Sequence, residues 1–408
     1  MRKIVYLIEQ PLDERNYDRF GIQVWIDRDW TVEIWDLTPL AFPSVWKHLL
    51  ESQPRFKDFA GYIPITSKSL LKSVFSRLGR LEYFIDFTSE NFHSIRIKTA
   101  LILKGSKRVI YASGGIPVPE PSRPPGILAK LRRISAKGPM SALNMVCMLL
   151  MRKLVAPLVK PSLTIVSGEN SILAAGKSDE ILRVHSFDYD IFLRLAKCNE
   201  MLVQDYVVFI DQDICFHSDF VFQGVPFIVT PEKYFPAICR GLSAIAGKLR
   251  AEVRIAAHPR ASYNQRGVDY FEGFPVEYGQ TAELIKDSRV VVCHDSTAIH
   301  FAVLFEKPMI FVTTDELIPT YEGRSIAQVA SEFGKSAINL DRDLPAVDWL
   351  KETYVDVAKY REYRNRYIKI DGTPERQMWE VVVDHIECAK KPTATLMQER
   401  CASAGCGK

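Results

Sequence analysis

The sequence predicts an α/β protein of two Rossmann-like domains facing a central cleft, and three observations predict it. The chain has 408 residues, too many for one ordinary core and enough for two domains of similar size. Short apolar runs of strand type alternate with stretches of helical spacing in both halves. That alternation is the mark of a parallel sheet covered on both faces. In the second half, polar residues follow directly on three of the apolar runs, at the strand ends where open α/β sheets bind ligands.

Residues 4–8 read as the first strand, because the apolar run is only about five residues before Glu9 and too short for a signal peptide. A turn at 11–13, a helix over 16–25 and a second strand over 31–35 follow. Further strands are expected at 61–65, 83–87 and 108–112, with helices over 68–78 and 92–104 between them. Residues 114–125 are rich in Gly and Pro and read as a loop. Segment 128–160 sets Lys130, Arg132, Arg133, Lys137, Arg152, Lys153 and Lys160 around the apolar run Met145–Met151. Such a segment either lies on an anionic membrane surface or packs as helices with a solvated basic face.

Strands resume at 163–166 and 206–211. A helix over 231–249, a strand over 252–256 and a helix over 280–286 follow. A strand over 290–293, a helix over 297–305, a strand over 309–312 and a helical stretch over 348–366 complete the pattern. The expected division is a first Rossmann-like domain over 1–200, a second over 201–370, and a C-terminal helix with a polar tail over 371–408. Eight cysteines without a CxxC pair read as reduced thiols, and no apolar stretch reaches the length of a membrane span. The expected place is therefore the cytoplasm, at most against the membrane face. A net charge of +4 without aromatic-basic motifs gives no reason to expect nucleic acid.

Three constellations carry chemistry. In VVVCHDSTAIHF a buried strand ends in His294, Asp295, Ser296 and Thr297 just before a helix. Hydroxyls and unpaired amides there suit a phosphate, although a plain N-cap has the same composition. About forty residues earlier, a strand delivers His258, Pro259 and Arg260, and an imidazole at that point can hydrogen-bond or protonate a phosphate. The strand over 206–211 ends in Asp211, Gln212 and Asp213, followed by His217 and Asp219. A strand-end aspartate can act as nucleophile or base, whereas the spacing of the set matches no metal loop. On the first domain, Asp13, Arg15, Arg19, Asp86 and Glu90 follow strands and border the expected cleft. Arg15, Arg19 and Glu90 are the candidate acceptor contacts, with surface salt bridges as the equal alternative. The stretch His185–Asp190 precedes the second domain without a readable role.

In order and spacing, the second-half features resemble the GT-B glycosyltransferases that take cytidine-nucleotide donors. His258-Pro259 and Ser296-Thr297 match the His-Pro and Ser-Ser/Thr motifs of bacterial sialyl- and polysialyltransferases, and Asp211-Gln212 matches the Asp-Gln strand end of Kdo transferases. The resemblance implies a GT-B fold, CMP bound by His258, Pro259, Arg260, Asp295, Ser296 and Thr297, and Asp211, or else Asp213, as catalytic nucleophile in a retaining mechanism. It also implies no metal and no cofactor, the CMP-sugar being a substrate. The run 281–321, down to Lys307-Pro308, is similar to CDP-glycerol transferases, but Asp295-Ser296-Thr297 lacks their intervening Tyr and second Ser. The first domain lacks the Asp/Glu-Asp-Gly motif of sialyltransferases, which tilts the donor toward Kdo-like ulosonic acids. The resulting expectation is transfer of an ulosonic acid from a CMP-sugar donor to a capsule or lipopolysaccharide glycan or glycolipid acceptor. The alternatives are CDP-glycerol, a UDP- or GDP-sugar, and a non-catalytic nucleotide-sugar-binding scaffold.

Overall fold

Apolar runs bounded by polar turns form the strands, and the most apolar runs lie innermost. The computed structural model describes residues 2–51, 57–119, 155, 157–176, 178–197, 204–217, 220 and 226–389. The first sheet holds β1 (Arg2–Ile8), β2 (Trp30–Asp36), β3 (Tyr62–Pro64), β4 (Tyr83–Asp86), β5 (Lys107–Ala112), β6 (Leu163–Val166) and β7 (Glu180–Arg183). Its order is β3-β2-β1-β4-β5-β6-β7, and every pairing is parallel. β1 is central, with Ile4 through Ile8 fully buried because helices cover both faces.

The second sheet holds β8 (Tyr206–Ile210), β9 (Glu252–Ala257), β10 (Val276–Tyr278), β11 (Val290–Cys293), β12 (Met309–Thr313) and β13 (Ile338–Asn339). Its order is β10-β9-β8-β11-β12-β13, also all parallel. In both sheets the order reverses beside the first strand, between β1 and β4 and between β8 and β11. Chain crossing to opposite faces on the two sides of that point opens a crevice at the strand ends. The register levels the tips: Ile210 pairs with Ala256, and Phe209 with Val292. Each sheet packs a separate apolar cluster on each face, so the chain builds two Rossmann-like units.

The helices that matter for the site are α1 (Glu14–Arg19), α2 (Ile22–Ile26), α3 (Phe92–Leu103), α4 (Phe187–Lys197), α5 (Pro231–Leu249), α6 (Thr281–Asp287), α7 (Ile299–Leu304), α8 (Tyr321–Glu332) and α9 (Met378–Cys388). The expected helix over 16–25 is two helices broken at Gly21, whose φ is +58°. The cause is α9, which returns from the second domain to pack on the first. A Cβ at Gly21 would stand 2.3 Å from the Trp379 ring. Trp379 is fully buried among Tyr6 and Trp25, and its Nε1 donates to the Arg19 carbonyl at 2.7 Å. The helix expected over 297–305 begins at Ile299, and that over 348–366 is divided into Trp349–Glu352, Val357–Tyr363 and a π-turn at Arg364–Ile368.

Most of the basic segment 128–160 and the tail beyond 389 lie outside the described residues. Among the described residues no helix is long and apolar enough to cross a membrane.

Candidate active site

The tip of β8 is tied down by its own carboxylates. Asp211 is 2% exposed and accepts from the main-chain N–H of Asp213 at 3.0 Å and of His258 at 3.2 Å. The Tyr263 hydroxyl adds a third donor, at 3.0 and 3.1 Å from its two oxygens. Burial pushes the Asp211 carboxyl up against the pull of these bonds. Asp213 adopts a left-handed φ of +52° and is 3% exposed. Burial first, and then the charge of Asp211, pushes its carboxyl up to about 6. Its Oδ1 has no hydrogen-bond partner. Neither expected catalytic carboxylate therefore presents an unengaged oxygen to open space. Asp211 reaches the cleft wall, while Asp213 lines none of the cavities described below.

The tip of β9 delivers His258. Its N–H is held by Asp211, its Nδ1 accepts the Arg260 N–H at 3.3 Å, and its ring lies 5.0 Å from that of His217. Pro259 and Arg260 are exposed beyond it.

At the tip of β11, His294 is fully buried and structural. Its Nδ1 donates to the Val312 carbonyl at 2.7 Å, and its Nε2 accepts the Tyr234 hydroxyl at 2.9 Å. Burial drives its pKa down, keeping it neutral. Asp295 turns instead toward β8, accepting from Gln212 Nε2 at 3.2 Å. Ser296 caps the turn through the Ala298 N–H at 3.2 Å, and Thr297 is exposed.

These tips open onto a cleft of about 730 Å³. The second domain lines it with Asp211, His258, Pro259, Ser296, Thr297 and Phe301, and the first domain with Asp13, Arg15, Arg19, Asp188, Ile191 and Arg194. Behind the row His258–Ser296–Thr297 lies a second cavity of about 360 Å³, which adds Gln212, His217, Asp295 and Glu322. The structure thus brings His258, Pro259, Ser296, Thr297, Arg15 and Arg19 together. Asp295 sits on the rear cavity alone. Arg260 lines neither cavity but lies close enough to Arg15 for the two like charges to oppose each other, after burial the further causes that lower the Arg15 pKa being Arg19 and then Arg260.

Two first-domain expectations are corrected. Glu90 is exposed in the turn before α3 and does not line the cleft; Glu9 fixes that turn through Ser89 and Asn91. Asp86 is buried and spent on structure. Lys98 lies 3.0 Å and Arg108 2.6 Å from its Oδ2, and Thr88 bonds its Oδ1. Of the four side chains weighed for a metal, Asp219 lies outside the described residues. Among the described residues no group of three or more His, Cys, Asp or Glu side chains is placed to hold a metal.

Sequence reasoning missed Asp188, Arg194, Tyr263 and His300. Asp188 Oδ2 lies 2.8 Å from His300 Nδ1, and His300 Nε2 lies 3.1 Å from the Gly115 carbonyl. One imidazole of the second domain thereby joins α4 and the loop after β5. Burial opposes ionisation of Asp188, but the His300 bond and charge, with Arg19 and Arg15, hold its carboxyl below the usual range. A signal was present in the sequence: Asp188, Ile191 and Arg194 recur at threefold spacing on one face of α4. Tyr263 offered none, since its partner lies 52 positions away.

No protein-family model matches the sequence, and no curated protein matches it. Solved structures do resemble the fold. The wall teichoic acid polymerase TagF, as its H548A variant, superposes with a TM-score of 0.52 at 10% identity, covering 96% of this chain and 90% of that one. A glycotransferase of kitacinnamycin superposes with a TM-score of 0.50 at 11% identity, covering 94% and 98%. At such identities the likeness is one of fold: this chain has the GT-B architecture, two Rossmann-like domains facing a cleft.

Proposed function

We propose that the protein is a glycosyltransferase that moves an ulosonic acid, of the Kdo type, from a CMP-sugar donor to a capsule or lipopolysaccharide glycan. The observation that carries this reading is the convergence of His258, Ser296 and Thr297 on one cavity at the order reversal of the second sheet. The donor phosphate would sit against them, and its departure needs stabilised charge rather than a strong acid. Arg15 and Arg19 on the facing wall are suited to the carboxylate that distinguishes an ulosonic acid from a neutral sugar. No resident cofactor or metal enters this scheme.

Asp211 has two possible parts in it. Because it holds the His258 N–H and the Tyr263 hydroxyl, it fits a positioning part better than the nucleophilic one, for which it would have to release those donors. The two parts separate experimentally. Asp211→Asn in the positioning part weakens nucleotide binding along with turnover. In the nucleophilic part it abolishes turnover while binding stays intact.

A thermal-shift panel with CMP, CDP, UDP and GDP tests the donor. CMP is expected to stabilise the protein, and His258→Ala to abolish that shift; a shift with UDP or GDP only would end the cytidine reading. The second reading is a CDP-glycerol donor. It rests on the similarity over 281–321 and on the likeness of fold to the teichoic acid polymerase. A shift with CDP and none with CMP would favour it.

A further inference from the structure

Beside the cleft lies a further pocket of about 330 Å³, between α1–α2, one face of α4 and the start of α9. Arg15, Arg19, Ile191 and Arg194 line both cavities, so the two are continuous along the first-domain wall. The pocket has an apolar floor from Ile22, Val24 and Leu193 and a cationic rim that adds Lys197 and Arg376. Its acidic residues are Asp18, Asp190 and Glu380. Asp190 is engaged: it accepts the Met378 N–H at 2.9 Å and lies 3.7 Å from His185, and burial pushes its carboxyl up to about 6. Arg376 is paired with Asp384. Arg15, Arg194 and Lys197 form no ion pair among the described residues, and all three are exposed to the space they line. Unpaired guanidinium and ammonium groups around a concave, partly apolar surface are a ready site for an anion attached to something larger.

We propose that this outer pocket is a second acceptor subsite, which binds an anionic group carried on the acceptor at a distance from the point of transfer. The proposal rests on the reading of the cleft as a transferase site. An acceptor longer than one sugar, with its reactive end opposite His258, can continue along the shared wall, past Arg19 and Ile191 to Arg194 and Lys197. Phosphate and carboxylate share the chemistry that this rim recognises. The aliphatic floor suits the apolar faces of a sugar or polyol backbone between charges. Arg194 and Lys197 then set which acceptors are held without touching the reacting atoms.

The test is calorimetric titration of the full chain with inorganic tripolyphosphate, with tri-galacturonate and with neutral maltotriose. The proteins are wild type, Arg194→Ala/Lys197→Ala and His258→Ala. Both altered residues of the double variant are exposed on α4, so the fold is expected to stand, and thermal unfolding within 2 °C of wild type checks it. At least one of the two anions should bind wild type, with its Kd raised tenfold or more in the double variant and changed less than twofold by His258→Ala. Whichever anion binds tells phosphate from carboxylate, and maltotriose should bind no more weakly to the double variant. Equal anion binding by wild type and double variant, no binding of either anion, or loss of binding in His258→Ala alone would each overturn the subsite. The CMP thermal shift, run on the same three proteins, keeps the readings apart. Absence of that shift in wild type defeats the donor assignment, whereas the calorimetry judges the pocket independently.

Discussion

Replacing Asp213 with asparagine removes a negative charge that the fold buries at a cost. The carboxyl is 3% exposed, and burial together with the charge of Asp211 raises its pKa from 3.8 to about 6. A raised carboxylate pKa means that the folded state binds the proton more tightly than the unfolded chain. Below about pH 4 the group is largely neutral in both states and the penalty vanishes. Between about pH 4 and 6 it ionises in the unfolded chain first, so wild-type stability falls as pH rises, and above that the full penalty stays. About two pKa units correspond to a penalty of about 3 kcal/mol. Asparagine carries no charge to bury, and it tolerates the left-handed φ of +52° at this position. Urea unfolding followed by circular dichroism should therefore show variant and wild type close together at pH 4. At pH 8 the variant should be the more stable by up to about 3 kcal/mol. A gap of the same size and sign at both pH values, or a less stable variant at pH 8, would refute the buried-charge argument.

Three further outcomes follow from other contacts. Asp86→Ala leaves Lys98 and Arg108 buried without their shared counter-charge, and should cost about 3–5 kcal/mol in urea unfolding, far more than a surface pair. Gly21→Ala meets the Trp379 side chain at 2.3 Å in a left-handed backbone; it should lower stability by about 2 kcal/mol or more in urea unfolding. Glu90→Ala should leave the apparent acceptor KM within twofold of wild type, because its turn is fixed by Glu9 and stands off the cleft; a larger change would return Glu90 to the acceptor path.

Much of the architecture was legible because burial and periodicity act locally. The runs that became β1, β8, β11 and β12 are apolar at nearly every position, and each is buried in a sheet covered on both faces. The tips carrying His258, Ser296 and Thr297 were legible because polar residues follow directly on apolar runs there, whereas the equally polar His294 and Asp211 stay buried through hydrogen bonds to distant partners. What stayed hidden was decided by distant contacts. The break at Gly21 depends on Trp379, some 360 positions away, and the return of α9 to the first domain is recorded in no local pattern. Asp86 and Glu90 look alike in sequence, both acidic and both just after an apolar run. One is buried against Lys98 and Arg108 and the other stands exposed in the turn before α3, a difference that only packing sets. The short edge strands β7, β10 and β13 carry too few apolar residues to announce themselves.

The two walls of the cleft differ in how completely their polar groups are satisfied. On the second-domain wall Asp211 holds His258, Ser296 caps its own turn, and Gln212 ties Asp295, so the groups are fixed before any ligand arrives. On the first-domain wall Arg15 is opposed by the charge of Arg19 and, from beyond the cleft lining, by that of Arg260, with Asp188 and Asp13 as partial compensation. An anion in the cleft relieves the repulsion between Arg15 and Arg19, which both line it. Preorganisation on one side and gathered positive charge on the other therefore suit the cleft to an anionic ligand.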